Sequence, residues 1–155
     1  MKFQEKLQRF ISTRRKDDES GFTLMEMLIV VAIIAVLIAI AIPIFTSQLE
    51  NSREATDAAN LRSAYATASA KVLSDGAKKG VSAGPVTMQQ TAEGWNDGIK
   101  NQKIGNVTVN DIATSGDLYV NVGTDGTVSI GAANSEYTLV DPVNGTAATT
   151  TGNGN

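Results

Sequence analysis

The sequence predicts an α+β fold, in which one long N-terminal helix packs on a C-terminal antiparallel sheet. Three observations support this prediction. An uncharged apolar run occupies residues 27–45, an alanine-rich amphipathic pattern continues to about residue 74, and short alternating segments separated by turns fill the last third of the chain. A helix followed by a run of strands is typical of the α+β class, since the apolar face of the helix then covers the sheet.

The apolar run has the length of a membrane span. The 19 residues from Met27 to Phe45 carry no charge and are mainly Leu, Ile, Val and Ala. As a helix they reach about 28 Å, close to the roughly 30 Å hydrocarbon core of a bilayer. A helix is the form expected in lipid, because lipid cannot form hydrogen bonds with backbone N–H and C=O groups that are left unpaired. Pro43 removes one backbone donor near the end of the run and predicts a kink.

Glu26 stands at the start of this run. A carboxylate at the centre of a membrane helix costs about 2.5–3.5 kcal/mol, and less near the end. One interpretation is an interfacial residue that the positive end of the helix dipole stabilises. The other is that Glu26 awaits a cation. Cleavage after Gly21 would place the new α-amino group of Phe22 one helical turn from Glu26, and a neighbouring copy could offer its own amino group.

Residues 1–21 form a leader with six Lys or Arg and four Asp or Glu residues. Positive charge before an apolar helix favours the cytoplasmic side, so the remainder is expected on the outside. A secretory signal peptide is the competing interpretation. Ala39-Ile40-Ala41 fits a small-x-small cleavage site, which would leave a chain that starts at Ile42. The long, mixed-charge leader and the long apolar run weigh against it.

The N-terminal part of the chain resembles the N-terminus of type IV prepilins and related pseudopilins. Five features carry this resemblance together: the basic leader, the Gly21-Phe22 junction, the Thr-Leu-Met sequence before Glu26, the uncharged run and Pro43. The match covers roughly residues 1–45. The resemblance implies cleavage between Gly21 and Phe22 by a prepilin peptidase and N-methylation of Phe22. It also implies assembly into a helical filament, in which Glu26 pairs with the N-terminus of an adjacent subunit and the helix loosens near Pro43.

The resemblance further implies a set of partners and a location. The partners are other copies of the chain, minor pilins, the membrane before assembly, and an assembly machinery with a platform protein and an ATPase. The precursor is expected in the cytoplasmic membrane with its N-terminus inside, and the assembled protein in a surface pilus. Pattern and resemblance together divide the chain into a cleaved leader (1–21), a transmembrane and filament-core helix (22–45), an amphipathic half-helix (46–76), a globular domain (77–143) and a flexible tail (144–155).

The amphipathic half of the helix has a predicted core face and a predicted polar face. The core face repeats at spacings of three and four, at Ala55, Ala58, Leu61, Tyr65, Ala68 and Val72. The polar face carries Arg53, Glu54, Asp57, Asn60 and Lys71. Gly76 is predicted to end the helix as a left-handed cap.

The rest of the chain predicts an antiparallel meander, which is also the pilin arrangement. Alternating segments place strands at residues 104–109, 117–122, 127–130 and 137–140. Asp125-Gly126 between two of them is a strong hairpin signal. Before these strands, Pro85 is expected to exclude a central strand. Thr87 is predicted to cap a short helix that reaches Gln90, and Trp95 is predicted to anchor the core.

Composition excludes several classes of function. The chain has no cysteine and no histidine, so it lacks disulfides, a thiol nucleophile, the commonest general base and a Cys-based zinc site. Many pilins close a C-terminal loop with a disulfide, and this chain departs from that pattern. The net charge of −3 argues against nucleic-acid binding. We expect no enzymatic activity and no cofactor.

A calcium site is the one metal site to weigh, since some pseudopilins bind calcium in the C-terminal region. Five carboxylates on predicted loops offer oxygen ligands: Asp111, Asp117, Asp125, Glu136 and Asp141. Their spacing matches no recognisable ligand pattern, and acidic residues are common in turns. We therefore expect no metal.

Three functions remain open. The leading one is a structural subunit of a type IV pilus that serves adhesion, motility or DNA uptake. The second is a pseudopilin of a type II secretion or competence machine, which shares the whole N-terminal pattern. The third, from a different class, is a membrane-tethered binding domain that does not polymerise.

Overall fold

The computed structural model describes residues 23–75 and 78–148. The chain divides into two compact units, of which the first ends at Pro43 and the second begins at Ile44. Helix α1, Leu24–Ser74, contributes to both units and is assigned as helix through Pro43. The predicted α+β class is confirmed, because this long helix packs through its second half on a sheet rich in antiparallel pairs. The predicted cap Gly76 lies outside the described residues.

Six strands follow the helix in the described part of the chain. They are β1 (Val81–Thr87), β2 (Lys103–Ile104), β3 (Val107–Thr108), β4 (Asp117–Val122), β5 (Val128–Gly131) and β6 (Thr138–Val140), with a 3-10 turn at Val109–Asp111 after β3. Four of them form the main sheet in the order β5-β4-β1-β6, while β2 and β3 form a small hairpin. Strand β4 is antiparallel to β1 and β5, whereas β6 is parallel to β1. The sheet is therefore mixed and not a simple meander.

Pro85 lies inside β1, a central strand, so the prediction that it excludes such a strand is wrong. The register of β1 against β4 shifts between Ala83 and Val86. Such a bulge takes a residue out of the hydrogen-bond ladder, where a missing N–H costs no ladder bond. A central strand thereby accommodates a proline.

The predicted short helix from Thr87 to Gln90 is not formed. Thr87 ends β1, and its hydroxyl donates to Asp117 Oδ1 at 2.6 Å. The backbone N–H groups of Gln89 and Gln90 both donate to the Asp57 carboxylate at 2.9 Å. A carboxylate of α1 thus takes the donors that helix initiation would leave unsatisfied.

The core of the second unit lies between α1 and the main sheet. Its fully buried side chains come from both, and they include Leu61, Ala64 and Ala68 of α1, and Val81, Val120 and Val140 of the strands. The predicted core positions Ala58, Leu61, Ala68 and Val72 are confirmed as buried, and Tyr65 packs against them half-buried.

Three helix positions differ from the prediction. Ala55 is exposed, whereas Glu54 and Asp57, expected on the polar face, are only 5% and 0% exposed. The loop that follows β1 covers this side of α1. The buried face of the helix is therefore rotated by part of a helical turn from the predicted face. Trp95 of that loop is confirmed as an anchor: it is buried, and its Nε1–H donates to the Ile112 carbonyl at 3.1 Å.

Candidate functional site

The first part of α1 presents a continuous apolar surface. Its large apolar side chains are between 42% exposed, at Leu49, and 82% exposed, at Leu24. Within the described residues, α1 is the one helix long and apolar enough to cross a membrane, a criterion that a signal sequence also meets. A surface of this size is unstable in water, so lipid or protein must cover it.

Glu26 lies in the first turn of this helix and closes a capping box with Thr23. The Glu26 N–H donates to Thr23 Oγ1 at 3.2 Å. In return, Thr23 donates its N–H at 2.7 Å and its hydroxyl at 2.9 Å to Glu26 Oε2. This reciprocal pattern satisfies two backbone donors at the helix start and explains why the helix begins at Leu24. The partners are neutral, so the carboxylate keeps its charge available for a cation.

Of the remaining predicted site residues, the structure describes Pro43 but not Gly21 and Phe22. Gly21 and Phe22 lie outside the described residues, so their cleavage and methylation stay predictions. Pro43 lies within α1, and at 1.5 Å per residue it is about 25 Å along the helix from Glu26. Glu26 and Pro43 therefore lie at separate places on the helix.

Sequence reasoning missed a second polar site, which we call the carboxylate row: Glu50, Glu54 and Asp57. Ala92 N–H donates to Glu50 at 2.7 Å, and Asn96 N–H donates to Glu54 at 2.6 Å. Together with the two bonds to Asp57 described above, these contacts attach residues 89–96 to the helix. The spacing of four and three positions, which places all three carboxylates on one line beside the apolar face, was the available signal.

Glu50 has the largest number of donors in this row. Thr91 donates both its N–H and, at 2.8 Å, its hydroxyl, and the Arg53 guanidinium lies 3.4 Å away. The Ala92 N–H and then the Thr91 hydroxyl are the main causes that lower the pKa of Glu50 from its ordinary 4.5 to about 2. Glu50 is therefore ionised at any physiological pH.

Two of the five carboxylates weighed as calcium ligands, Asp125 and Asp141, accept hydrogen bonds from the chain's own turns. Asp125 Oδ1 accepts the Thr127 N–H at 3.0 Å and hydroxyl at 2.7 Å, and the hydroxyl bond lowers the pKa of Asp125. Asp141 Oδ1 accepts the N–H groups of Val143 at 2.8 Å and Asn144 at 3.1 Å. Among the described residues, no three Asp or Glu side chains are grouped so that they could hold a metal ion.

Known proteins share part of this chain. Residues 16–42 match a family model described as the prokaryotic N-terminal methylation motif. Over 72 residues the chain is 42% identical to the Type IV major fimbrial protein FimA of Dichelobacter nodosus, in a match that covers 46% of this chain and 44% of that protein. The chain thus matches less than half the length of this curated relative. No solved structure gives a significant match. The expected resemblance to type IV pilins is confirmed.

Proposed function

We propose that this chain, whose N-terminal segment is that of a type IV pilin, is a structural subunit of a type IV pilus. The observation that carries the proposal is the apolar surface from Leu24 to Leu49, attached to a folded α+β body. Covering that surface contributes about 25 cal/mol per Å² of apolar area. The membrane covers it in the precursor, and other copies of the chain cover it in the filament. The subunit acts by polymerising and not by catalysis.

Processing precedes assembly in this proposal. A prepilin peptidase removes the leader, residues 1–21, and Phe22 becomes the methylated N-terminus. The methylation motif supports this step, because it spans residues 16–42 and so includes the Gly21-Phe22 junction. The precursor lies in the cytoplasmic membrane with its N-terminus in the cytoplasm. The assembly machinery then transfers it to a filament that also contains minor pilins.

The relative is named as a major fimbrial protein, which favours a pilus over a pseudopilin. The Dichelobacter nodosus protein is a major fimbrial protein. By this analogy the chain forms long surface filaments, whereas a pseudopilin forms short ones within a secretion or competence machine. Electron microscopy of labelled cells separates the two. Long labelled filaments support the pilus, and their absence from cells that secrete or take up DNA through this protein supports the machine.

The decisive experiment is the intact mass and N-terminal sequence of protein sheared from cells. We expect a chain that begins at methylated Phe22 and has lost residues 1–21. A chain that begins at Ile42 would mean cleavage by a signal peptidase. The apolar surface would then be absent from the mature protein, and the proposed function would be wrong.

Glu26 is the residue with the sharpest predicted phenotype. In the filament it pairs with the N-terminal amino group of a neighbouring copy, because an unpaired carboxylate in an apolar core is costly. We expect Glu26→Ala to insert in the membrane normally and to reduce sheared filament protein on the order of ten-fold or more. The measure is the ratio of sheared to membrane-bound protein. Glu93→Ala, at an exposed loop position, is the control. Wild-type filament yield from Glu26→Ala would exclude the role.

A further inference from the structure

The turn that follows β6 contains the one Asn-Gly dipeptide of the described residues, Asn144-Gly145. Asn144 is exposed, and its Oδ1 accepts the Thr146 N–H at 2.9 Å and the Thr146 hydroxyl at 2.6 Å. The Gly145 N–H donates to the Asp141 carbonyl at 3.0 Å, and the Asn144 N–H donates to Asp141 Oδ1 at 3.1 Å. Both residues of the dipeptide are thus held within residues 141–146, which we call the Asn144 turn.

The fold requires a glycine after Asn144. Gly145 has a φ of +66°, a left-handed conformation in which an L side chain is strained. A Cβ at Gly145 would also lie 3.2 Å from Thr67 Cγ2 of α1. The Thr67 hydroxyl in turn donates to the Pro142 carbonyl of the same turn. Packing of the turn against α1 therefore places beside Asn144 the neighbour that makes an asparagine most reactive.

The reaction is deamidation, to which an asparagine before glycine is especially prone because no side chain on the next residue hinders attack. The backbone nitrogen of Gly145 gives up its proton to water and attacks Asn144 Cγ. A bond forms between these two atoms, and the bond from Cγ to the side-chain nitrogen breaks. That nitrogen takes a proton from water and leaves as ammonia. Water then opens the succinimide ring to an aspartyl or isoaspartyl residue, so the turn gains one negative charge.

We propose that Asn144 is a deamidation site whose rate is controlled by the Asn144 turn. Two sets of hydrogen bonds oppose the reaction. The Asp141 carbonyl holds the Gly145 N–H that must lose its proton, and Thr146 holds the oxygen of the side-chain amide under attack. Ring closure also needs a nearly eclipsed Asn144 Cα–Cβ bond, since the succinimide ring is close to flat. The closed turn therefore deamidates slowly, and the opened turn deamidates rapidly.

This inference is independent of the proposed function, because it concerns the chemistry of one turn in a single subunit. The test incubates the full chain in detergent micelles at mildly alkaline pH. Mass spectrometry follows the conversion of the amide to the acid in the proteolytic fragment that contains Asn144. The reference is a synthetic peptide of residues 141–148, which α1 and β6 do not hold. We expect Asn144 to deamidate on the order of ten-fold more slowly in the folded chain than in the peptide.

The first variant, Asp141→Ala, removes the carboxylate that accepts the N–H groups of Val143 and Asn144. We expect the turn to open more often and the folded chain to deamidate on the order of ten-fold faster, measured against a peptide of the variant's own sequence. Asp111→Ala is the matched control, because Asp111 is an exposed carboxylate outside this turn. It should leave the rate at Asn144 unchanged.

The second variant, Thr146→Val, removes only the hydroxyl bond to Asn144 Oδ1 and keeps the backbone bond. We expect deamidation to become roughly three-fold faster, the effect of one lost hydrogen bond. Thr124→Val, at an exposed position of the turn between β4 and β5, is the matched control and should behave as the wild type.

Two results would overturn the proposal. One is a wild-type chain in which Asn144 deamidates as fast as in the peptide. The other is a rate that either variant leaves unchanged, since the protection would then come from outside the Asn144 turn. Hydrogen exchange of the β4 amides checks that each variant keeps its fold. If Asp141→Ala loses this protection, Thr146→Val decides the question, and a wild-type rate in that variant would overturn the proposal.

Discussion

Glu54 and Asp57 illustrate at the residue scale how a helix buries charge. Both carboxylates are almost fully buried, and no Lys or Arg pairs with them in the described ion pairs. Backbone N–H groups of the loop take the place of the cation, two for Asp57 and one for Glu54. A buried carboxylate is tolerated when hydrogen bonds replace its hydration. The sequence analysis placed Glu54 and Asp57 on the polar face of the helix because they are acidic. That prediction was wrong.

Glu50 carries a prediction on pH dependence. Its folded-state pKa of about 2 lies below its ordinary 4.5. A lowered pKa means that its contribution to stability is complete above pH 4.5 and is lost as the pH falls from 4.5 toward 2. We expect the difference in free energy of unfolding between wild type and Glu50→Gln to be constant above pH 4.5 and to shrink below it. Denaturant titrations followed by Trp95 fluorescence measure this difference, and a difference that is flat down to pH 2 would contradict the prediction.

The bulge in strand β1 depends on two residues, Gly84 and Pro85, and on the strand packed beside them. Tyr119 of β4 lies against Gly84, and a Cβ at that position would lie 2.5 Å from Tyr119 Cδ1 and 2.9 Å from the Leu118 carbonyl oxygen. Gly84 is thus required by close approach of a neighbour. The next residue, Pro85, lies in the same bulge, so the two residues that look least like strand residues occupy the one irregular part of β1.

Substitution of Gly84 should therefore destabilise the sheet. We expect Gly84→Ala to lower the free energy of unfolding by roughly 1–3 kcal/mol, because Tyr119 and the β4 backbone must move. Gly131→Ala in β5 is the matched control, since a Cβ there has no heavy atom within 4 Å. Denaturant unfolding followed by circular dichroism compares the two. Equal stability of both variants would show that Tyr119 relaxes without cost.

The segment of residues 140–147 is closed without a disulfide. Asp141 and Thr146 are joined by a backbone bond of 2.9 Å, and Val140 pairs with Ala147. The Thr67 hydroxyl of α1 donates to the Pro142 carbonyl at 3.0 Å and connects this turn to the helix. Within the described residues, ordinary hydrogen bonds therefore close this segment and connect it to α1.

Over the whole molecule, the chain separates two kinds of apolar surface. The exposed kind lies on α1 from Leu24 to Leu49, with large side chains such as Leu, Ile and Phe. The buried kind is built from small residues of α1, mostly Ala, against the Val side chains of the strands. Small residues let the helix approach the sheet closely, and Leu61 is the largest fully buried side chain that α1 contributes to this core.

Leu61 should therefore contribute more to stability than other leucines of the helix. It is 0% exposed, and we expect Leu61→Ala to cost about 2–5 kcal/mol of folding free energy through lost burial and a new cavity. Leu73 near the end of the same helix is 80% exposed, so Leu73→Ala is the control and should change stability little. Thermal unfolding of the full chain in micelles gives both values. A small loss for Leu61→Ala would mean that the sheet collapses onto the vacated space.

Features that depend on local pattern could be predicted from the amino-acid sequence. It predicted the long helix with its apolar run, Glu26 in the first turn, the strand at residues 117–122 and the hairpin at Asp125-Gly126, because periodicity and turn chemistry act between near neighbours. The processing at Gly21-Phe22, the role of Glu26 in assembly and the kink at Pro43 stay predictions.

Features that depend on contacts between distant parts of the chain could be seen only in the folded protein. The parallel position of β6 beside β1, the bulge that admits Pro85, and the burial of Glu54 and Asp57 each require segments that are far apart in the chain. The loop of residues 89–96 has no pattern of its own, and its backbone donors are satisfied by helix carboxylates about 40 positions earlier. The spacing of the carboxylates marks one line on the helix but does not say which backbone donors bind there, so the folded chain alone reveals the partner.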